Sequence, residues 1–117
     1  MFYRDILRRL LHNIENATGA GLVAQDGEAV QLEGQIDDFT HRLHLAYQGI
    51  LLQVLSDIHK GPKANLRLVL SIHQDYTVAV KPLADGYFLV LTLKGRKNAQ
   101  KALRYLEQAA GELNQEL

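Results

Sequence analysis

The amino-acid sequence predicts an α+β fold with the element order α-β-β-α-β-β-β-α. Three features lead there: a helical period sustained over residues 36–59, Asp-Gly pairs at 26–27 and 85–86 between apolar runs, and a segment at 87–93 that is apolar at nearly every position. A period near 100° per residue marks a helix. An Asp-Gly pair accepts the positive φ angles of a tight hairpin turn, and a strand without polar alternation is one covered on both faces.

The chain opens with an amphipathic helix, because Phe2, Tyr3, Ile6, Leu7, Leu10, Leu11 and Ile14 recur at helical spacing while Arg4, Arg8 and Arg9 take the opposite side. Thr18-Gly19-Ala20-Gly21 ends it as a turn. A hairpin follows over residues 20–33, in which Val23 faces Val30 and Gly21 faces Leu32, with Leu22, Ala24 and Ala29 on the other surface. Gly34 releases the chain into the long helix, whose first turn holds Asp37 and Asp38 where carboxylates favour the helix dipole. Lys60-Gly61-Pro62-Lys63 stops it.

Over residues 66–73 Leu66, Leu68, Leu70 and Ile72 alternate with Arg67, Val69, Ser71 and His73 as a strand. Gln74-Asp75 turns into a second strand over 76–83, with Pro82 near its end, where a missing donor does least harm. Asp85-Gly86 leads into the apolar strand, which reads as the middle of the sheet with helices over both faces. After a polar connector over 94–98, Ala99, Ala102, Leu103, Leu106, Ala109, Ala110, Leu113 and Leu117 form the seam of a closing helix.

The long helix is apolar on two sides. Ile36, Phe39, Leu43, Tyr47, Ile50, Leu51, Val54 and Ile58 gather into a broad stripe that fits a sheet, whereas Leu45 and Leu52 point away from it, bordered by His41, Gln48, Leu55 and His59. A helix of this kind buries one face in its own domain and offers the other to a partner. The plainer alternative is that Leu45 and Leu52 are scattered surface leucines of the kind common on monomers.

With 117 residues, 47% hydrophobic and 22% charged, the chain reads as one globular domain spanning 1–117. It has no cysteine, which excludes disulfides, thiolate nucleophiles and cysteine-based zinc sites together. Thirteen basic and thirteen acidic side chains cancel, so the net charge implies no general attraction to nucleic acid or anionic membrane. Arg4, Arg8 and Arg9 interrupt the apolar core a signal peptide requires, and no apolar run approaches the roughly eighteen residues of a membrane span. A cytoplasmic protein is the expectation. The charges are nonetheless polarised: residues 26–38 hold acids and no base, while residues 60–104 are predominantly basic.

No group of residues makes a persuasive chemical site. His41 and His44 share a helix face but lack a third ligand at metal-binding spacing. The Gly-x-Gly of Gly19-Ala20-Gly21 follows a helix and enters a strand, the reverse of a phosphate-cradling loop. Lys94, Arg96, Lys97, Lys101 and Arg104 cluster around the start of the last helix, either as a solvated basic loop or as a contact for an acidic or phosphate-bearing partner. His73, opposite Tyr76, reads as a packing or hydrogen-bonding residue. No catalytic residue, cofactor or metal is expected.

This element order, the Asp26-Gly27 hairpin, the long second helix and the passage Val80-Lys81-Pro82-Leu83-Ala84-Asp85-Gly86-Tyr87-Phe88-Leu89-Val90-Leu91 together resemble the roadblock/LC7 family across essentially the whole chain. Thr18-Gly19 stands where that family often has Pro-Gly. Longin and profilin-like domains share the general plan. The resemblance implies a five-stranded antiparallel sheet with the long helix on one face and the two terminal helices on the other. It also implies a homodimer formed through the long helix and the strand after it, and a non-catalytic regulator or scaffold of a Ras-like small GTPase. A dynein-light-chain type of structural adaptor and a small-ligand sensor are the alternatives. The interface residues expected are His41, Leu45, Gln48, Leu52, Leu55 and His59, with Leu66, Arg67, Leu68, Val69, Leu70, Ser71 and Ile72 as the edge strand. The physics of strands agrees, since a bare apolar edge is an aggregation hazard unless covered or paired.

Overall fold

A computed structural model of the chain describes residues 2–24, 28–35 and 68–117. The long helix read over 36–59 and the Asp26-Gly27 turn lie outside these residues. Helix α1 covers Tyr3–Asn13 and is followed by strands β1, Ala17–Val23, and β2, Ala29–Gly34. Strands β3, Val69–Ile72, and β4, Tyr76–Pro82, precede a short turn of 3₁₀ helix at Ala84–Gly86, then β5, Phe88–Lys94, and helix α2, Ala99–Glu116. All five strands join one sheet in the order β2-β1-β5-β4-β3, and every neighbouring pair is antiparallel. The expected α+β class and the central place of the apolar strand both hold.

Alternation along the strands divides the core into two layers. On the first face Ala20, Leu22, Ala79, Leu89, Leu91 and Leu93 pack against Ile6, Leu7, Leu10 and Ile14 of the opening segment and Ala102, Leu106, Ala109, Ala110 and Leu113 of α2. Both described helices therefore lie on one face, side by side. The small alanines of α2 leave room for α1, and Arg9 closes the outside of the seam by donating from one nitrogen to both carboxylate oxygens of Glu112 at 2.9 Å. On the second face Val23, Val78, Val80 and Val90 form a separate buried cluster with Leu32, Val69, Tyr76 and Phe88 beside it. All of these are sheet residues or flank one, so among the described residues the valines have only strand neighbours.

The structure corrects the sequence reading in three places. Thr18-Gly19-Ala20-Gly21 is not a turn: α1 ends at Asn13, and these residues are strand within β1. They are held between two partners, with Ala20 opposite both Glu33 and Leu91. The first hairpin keeps Gly21 opposite Leu32, but a bulge between Leu22 and Val23 places Val23 opposite Ala29, so that Val30 has no cross-strand partner and is 45% exposed. Of the strand expected over 66–73, Val69–Ile72 is strand and the described Leu68 and His73 lie outside it, while Leu66 and Arg67 are outside the described residues.

Asp85 and Gly86 do adopt positive φ, 58° and 80°, and Leu83 donates its N–H to Tyr87 across the turn at 2.7 Å. Pro82 is the last residue of β4. Among the described residues the two fully buried polar side chains, Thr77 and Thr92, are both bonded: Thr77 Oγ1 donates to the Gly95 carbonyl at 2.8 Å, and Thr92 Oγ1 lies 2.8 Å from Thr18 Oγ1.

Gly34 ends β2 with φ +105°, and a Cβ there would lie 2.4 Å from the Thr18 carbonyl oxygen and 2.8 Å from Gly19 Cα. Both the backbone angle and the contact oppose any side chain. Gly34→Ala should therefore lower stability by about 2–4 kcal/mol, read as a reduced urea midpoint at unchanged m-value.

Candidate partner-binding edge

The two edges of the sheet are built differently. At β2 the bulge at Val30 breaks the ladder, and Glu33 turns onto the helix face, where it accepts a hydrogen bond from Arg8 Nε and another from Gln31 Nε2 at 3.0 Å. Bulges and charges of this kind blunt an edge against foreign strands. At β3 the residues are Val69, Leu70, Ser71 and Ile72, followed by His73, with no charge and no proline. Leu70 and Ile72 point to the helix side, as their partners Ala79 and Thr77 show, and remain 37% and 50% exposed. Helix α2 rests over β5 and β4, so these two side chains sit at the rim of the core instead of under it.

The end of this edge is stiffened by His73. Its ring stacks on Tyr76 with centroids 4.4 Å apart, its Nε2 lies 2.6 Å from Ser71 Oγ, and its backbone N–H donates to the Tyr76 carbonyl at 2.8 Å. Arg96 Nε donates to the His73 carbonyl at 3.3 Å, tying the hairpin to the connector before α2. His73 is thus the packing and hydrogen-bonding residue expected of it. Neither the Ser71 bond nor the Arg96 tie has a signature in the sequence, because both depend on the twist of the hairpin.

Of the residues expected at the interface, His41, Leu45, Gln48, Leu52, Leu55 and His59 lie outside the described residues, as do Leu66 and Arg67. Leu68 precedes β3 and packs partly against the first-face core. Val69, Leu70, Ser71 and Ile72 form the outer strand of the sheet, as an edge requires.

Neither the family models nor the curated proteins compared with the sequence give a match. Solved structures do. The roadblock/LC7 domain from Streptomyces avermitilis aligns over 92% of this chain and 91% of its own, with a TM-score of 0.80 at 20% identity. Myxococcus xanthus MglB aligns over 97% and 92% with a TM-score of 0.82 at 16% identity, and an MglB with tetrameric arrangement over 97% and 85% with 0.81 at 14%. This chain has the roadblock/LC7 fold. On that fold the exposed pair Leu70 and Ile72 belongs to the outer strand on the side opposite β2.

The basic cluster read from the sequence lies at the surface of this roadblock/LC7 fold. Lys94, Arg96, Lys97, Lys101 and Arg104 are exposed around the start of α2, with the Arg104 guanidinium 5.7 Å from the Tyr105 ring centroid. Asn98 precedes the helix in a left-handed conformation, and its side chain bonds Asn16 at 2.9 Å instead of capping the helix. Among the described residues no group of three or more His, Asp or Glu is arranged to hold a metal ion, and no helix is long and apolar enough to cross a membrane.

Glu33 is the one described carboxyl with a resolved displacement of its pKa. Burial, the largest single influence, pushes it up. Hydrogen bonds from Arg8 and Gln31, with the charges of Arg8 and Arg4, outweigh burial and hold the group below its ordinary 4.5. A folded-state pKa below the unfolded one means that the stabilisation is complete above about pH 4.5 and is lost as pH falls through the lower value. Glu33→Gln should be less stable than the parent at neutral pH. The gap should close as urea unfolding is repeated progressively below pH 4.5.

Proposed function

We propose that this chain is a non-catalytic, homodimeric regulator or scaffold that binds a Ras-like small GTPase and modulates its activity or localisation. The observation that supports it most directly is the undefended β3 edge, where exposed Leu70 and Ile72 lie on an outer strand without charge or proline. Such an edge in a roadblock/LC7 fold calls for a second strand. A twofold axis supplies one without leaving a new edge open. Self-association is compatible with this fold, since one neighbour is described as an MglB with tetrameric arrangement.

In this reading the second stripe of the long helix, Leu45, Leu52 and Leu55 with His41, Gln48 and His59 around them, forms a platform shared by the two copies. The GTPase docks on that platform through the segments that differ between its nucleotide states. Regulation then follows from differential affinity, because a partner that binds two conformations equally shifts neither. No bond is made or broken by this chain.

The test is solution mass, measured with and without a Ras-like GTPase encoded beside this chain, loaded with GDP or a non-hydrolysable GTP analogue. The expected result is twice the 13.1 kDa chain mass alone and a larger complex in one nucleotide state. Ile72→Lys should shift the chain toward 13.1 kDa with its circular dichroism unchanged, and Leu52→Asp should weaken self-association or GTPase binding in the same way. A single-chain mass at every concentration, with no complex in either nucleotide state, would overturn the proposal.

A further inference from the structure

We infer that the homodimer has one strand register, centred on Ser71, in which Leu70 of each copy lies opposite Ile72 of the other; this rests on the homodimeric reading above. The phase of the β3–β4 ladder carries it. His73 donates its N–H to the Tyr76 carbonyl at 2.8 Å, and the pairing from Val69↔Val80 to Ile72↔Thr77 runs without a break. Antiparallel ladders alternate hydrogen-bonded and non-hydrogen-bonded pairs. Counting back from His73, the N–H and C=O of Ser71 and Val69 point toward β4, whereas those of Leu70 and Ile72 point away from the sheet. The two residues whose backbone faces outward are also the two on β3 whose large side chains are exposed, at 37% and 50%.

A symmetric antiparallel copy can dock at this edge only where outward-facing residues meet outward-facing residues. Centred on Ser71, each Leu70 exchanges both backbone bonds with Ile72 of the second copy, and every outward group within the strand is used. The four side chains of the two copies then form one apolar cluster on the helix side. Centred on Leu70, Ile72 would meet Leu68, which precedes the strand and packs toward its own core. Centred on Ile72, Leu70 would meet Gln74 in the hairpin turn. The β2 edge offers no such match, because its bulge breaks the alternation and Gly34 closes on Thr18.

The chain contains no cysteine, so single cysteines introduced into it report the register directly. In the Ser71-centred dimer the two Ser71 residues form a non-hydrogen-bonded pair with Cα atoms about 4.5 Å apart, within disulfide range. Two Leu70 residues are offset by two positions along the strands, about 8 Å apart and beyond it. Under copper-phenanthroline oxidation, Ser71→Cys should cross-link to dimer at least about tenfold faster than Leu70→Cys or Ile72→Cys alone, since Cα separations beyond about 7 Å exclude bridging. A mixture of Leu70→Cys and Ile72→Cys chains should yield the hetero-linked dimer, which reads the same register without altering Ser71. If sedimentation shows a dimer but Leu70→Cys links to itself and Ser71→Cys does not, the register is wrong and the homodimer stands. If the unmodified chain sediments as a single copy, both readings fall.

Discussion

Strand β5 withdraws five consecutive side chains from water, Leu89 to Leu93, and neighbours on a strand point to opposite faces. No single layer can shelter such a strand. The leucines at 89, 91 and 93 enter the layer beneath α1 and α2, while Val90 joins the valines of β1 and β4 on the other side. Each fully buried leucine contributes about 1.5–3 kcal/mol relative to exposure. The strands flanking β5 must share its two-sided burial, and β1 and β4 do. The outermost positions fall to β2 and β3, whose residues are half-buried or exposed.

Being outermost has different consequences on the two sides. β2 is drawn under α1, with Glu33 bonded to Arg8 and Gly34 lying against Thr18. A bulge, a carboxylate and a positive φ together make it a poor template for another strand. β3 lies beyond the reach of α2's packing onto β5 and β4, and its sequence holds nothing to repel a strand. The two edges therefore differ: β3 presents backbone and apolar side chains that another strand can pair with, and β2 does not.

A polar seam ties the end of the sheet where β1 begins and β5 finishes. Asn16 Nδ2 donates to the carbonyls of Lys94 and Lys97 at 2.9 and 2.8 Å, Asn98 donates to Asn16 Oδ1, and Thr77 bonds the Gly95 carbonyl. These bonds satisfy groups that the sharp connection between β5 and α2 leaves without ladder partners. They also position the connector, so that Arg96 reaches back to the β3–β4 hairpin and braces the end of the exposed edge.

Much of this was legible in the chain. Apolar spacing marked α1 and α2, Asp85-Gly86 marked its turn, and the uninterrupted apolar run marked β5 as central, because period and composition are local properties of a segment. The reading failed where local signals competed with distant partners. Thr18-Gly19-Ala20-Gly21 has a turn's composition, yet β2 and β5 flank it and hold it as strand. The bulge that frees Val30 has no marker in its own residues. Local pattern suffices for the described elements other than residues 18–21, for their order and for a strand sheltered on two sides. The register, the difference between the two edges and the exposure of Leu70 and Ile72 arise on folding, because these depend on which backbone groups, far apart along the chain, find one another.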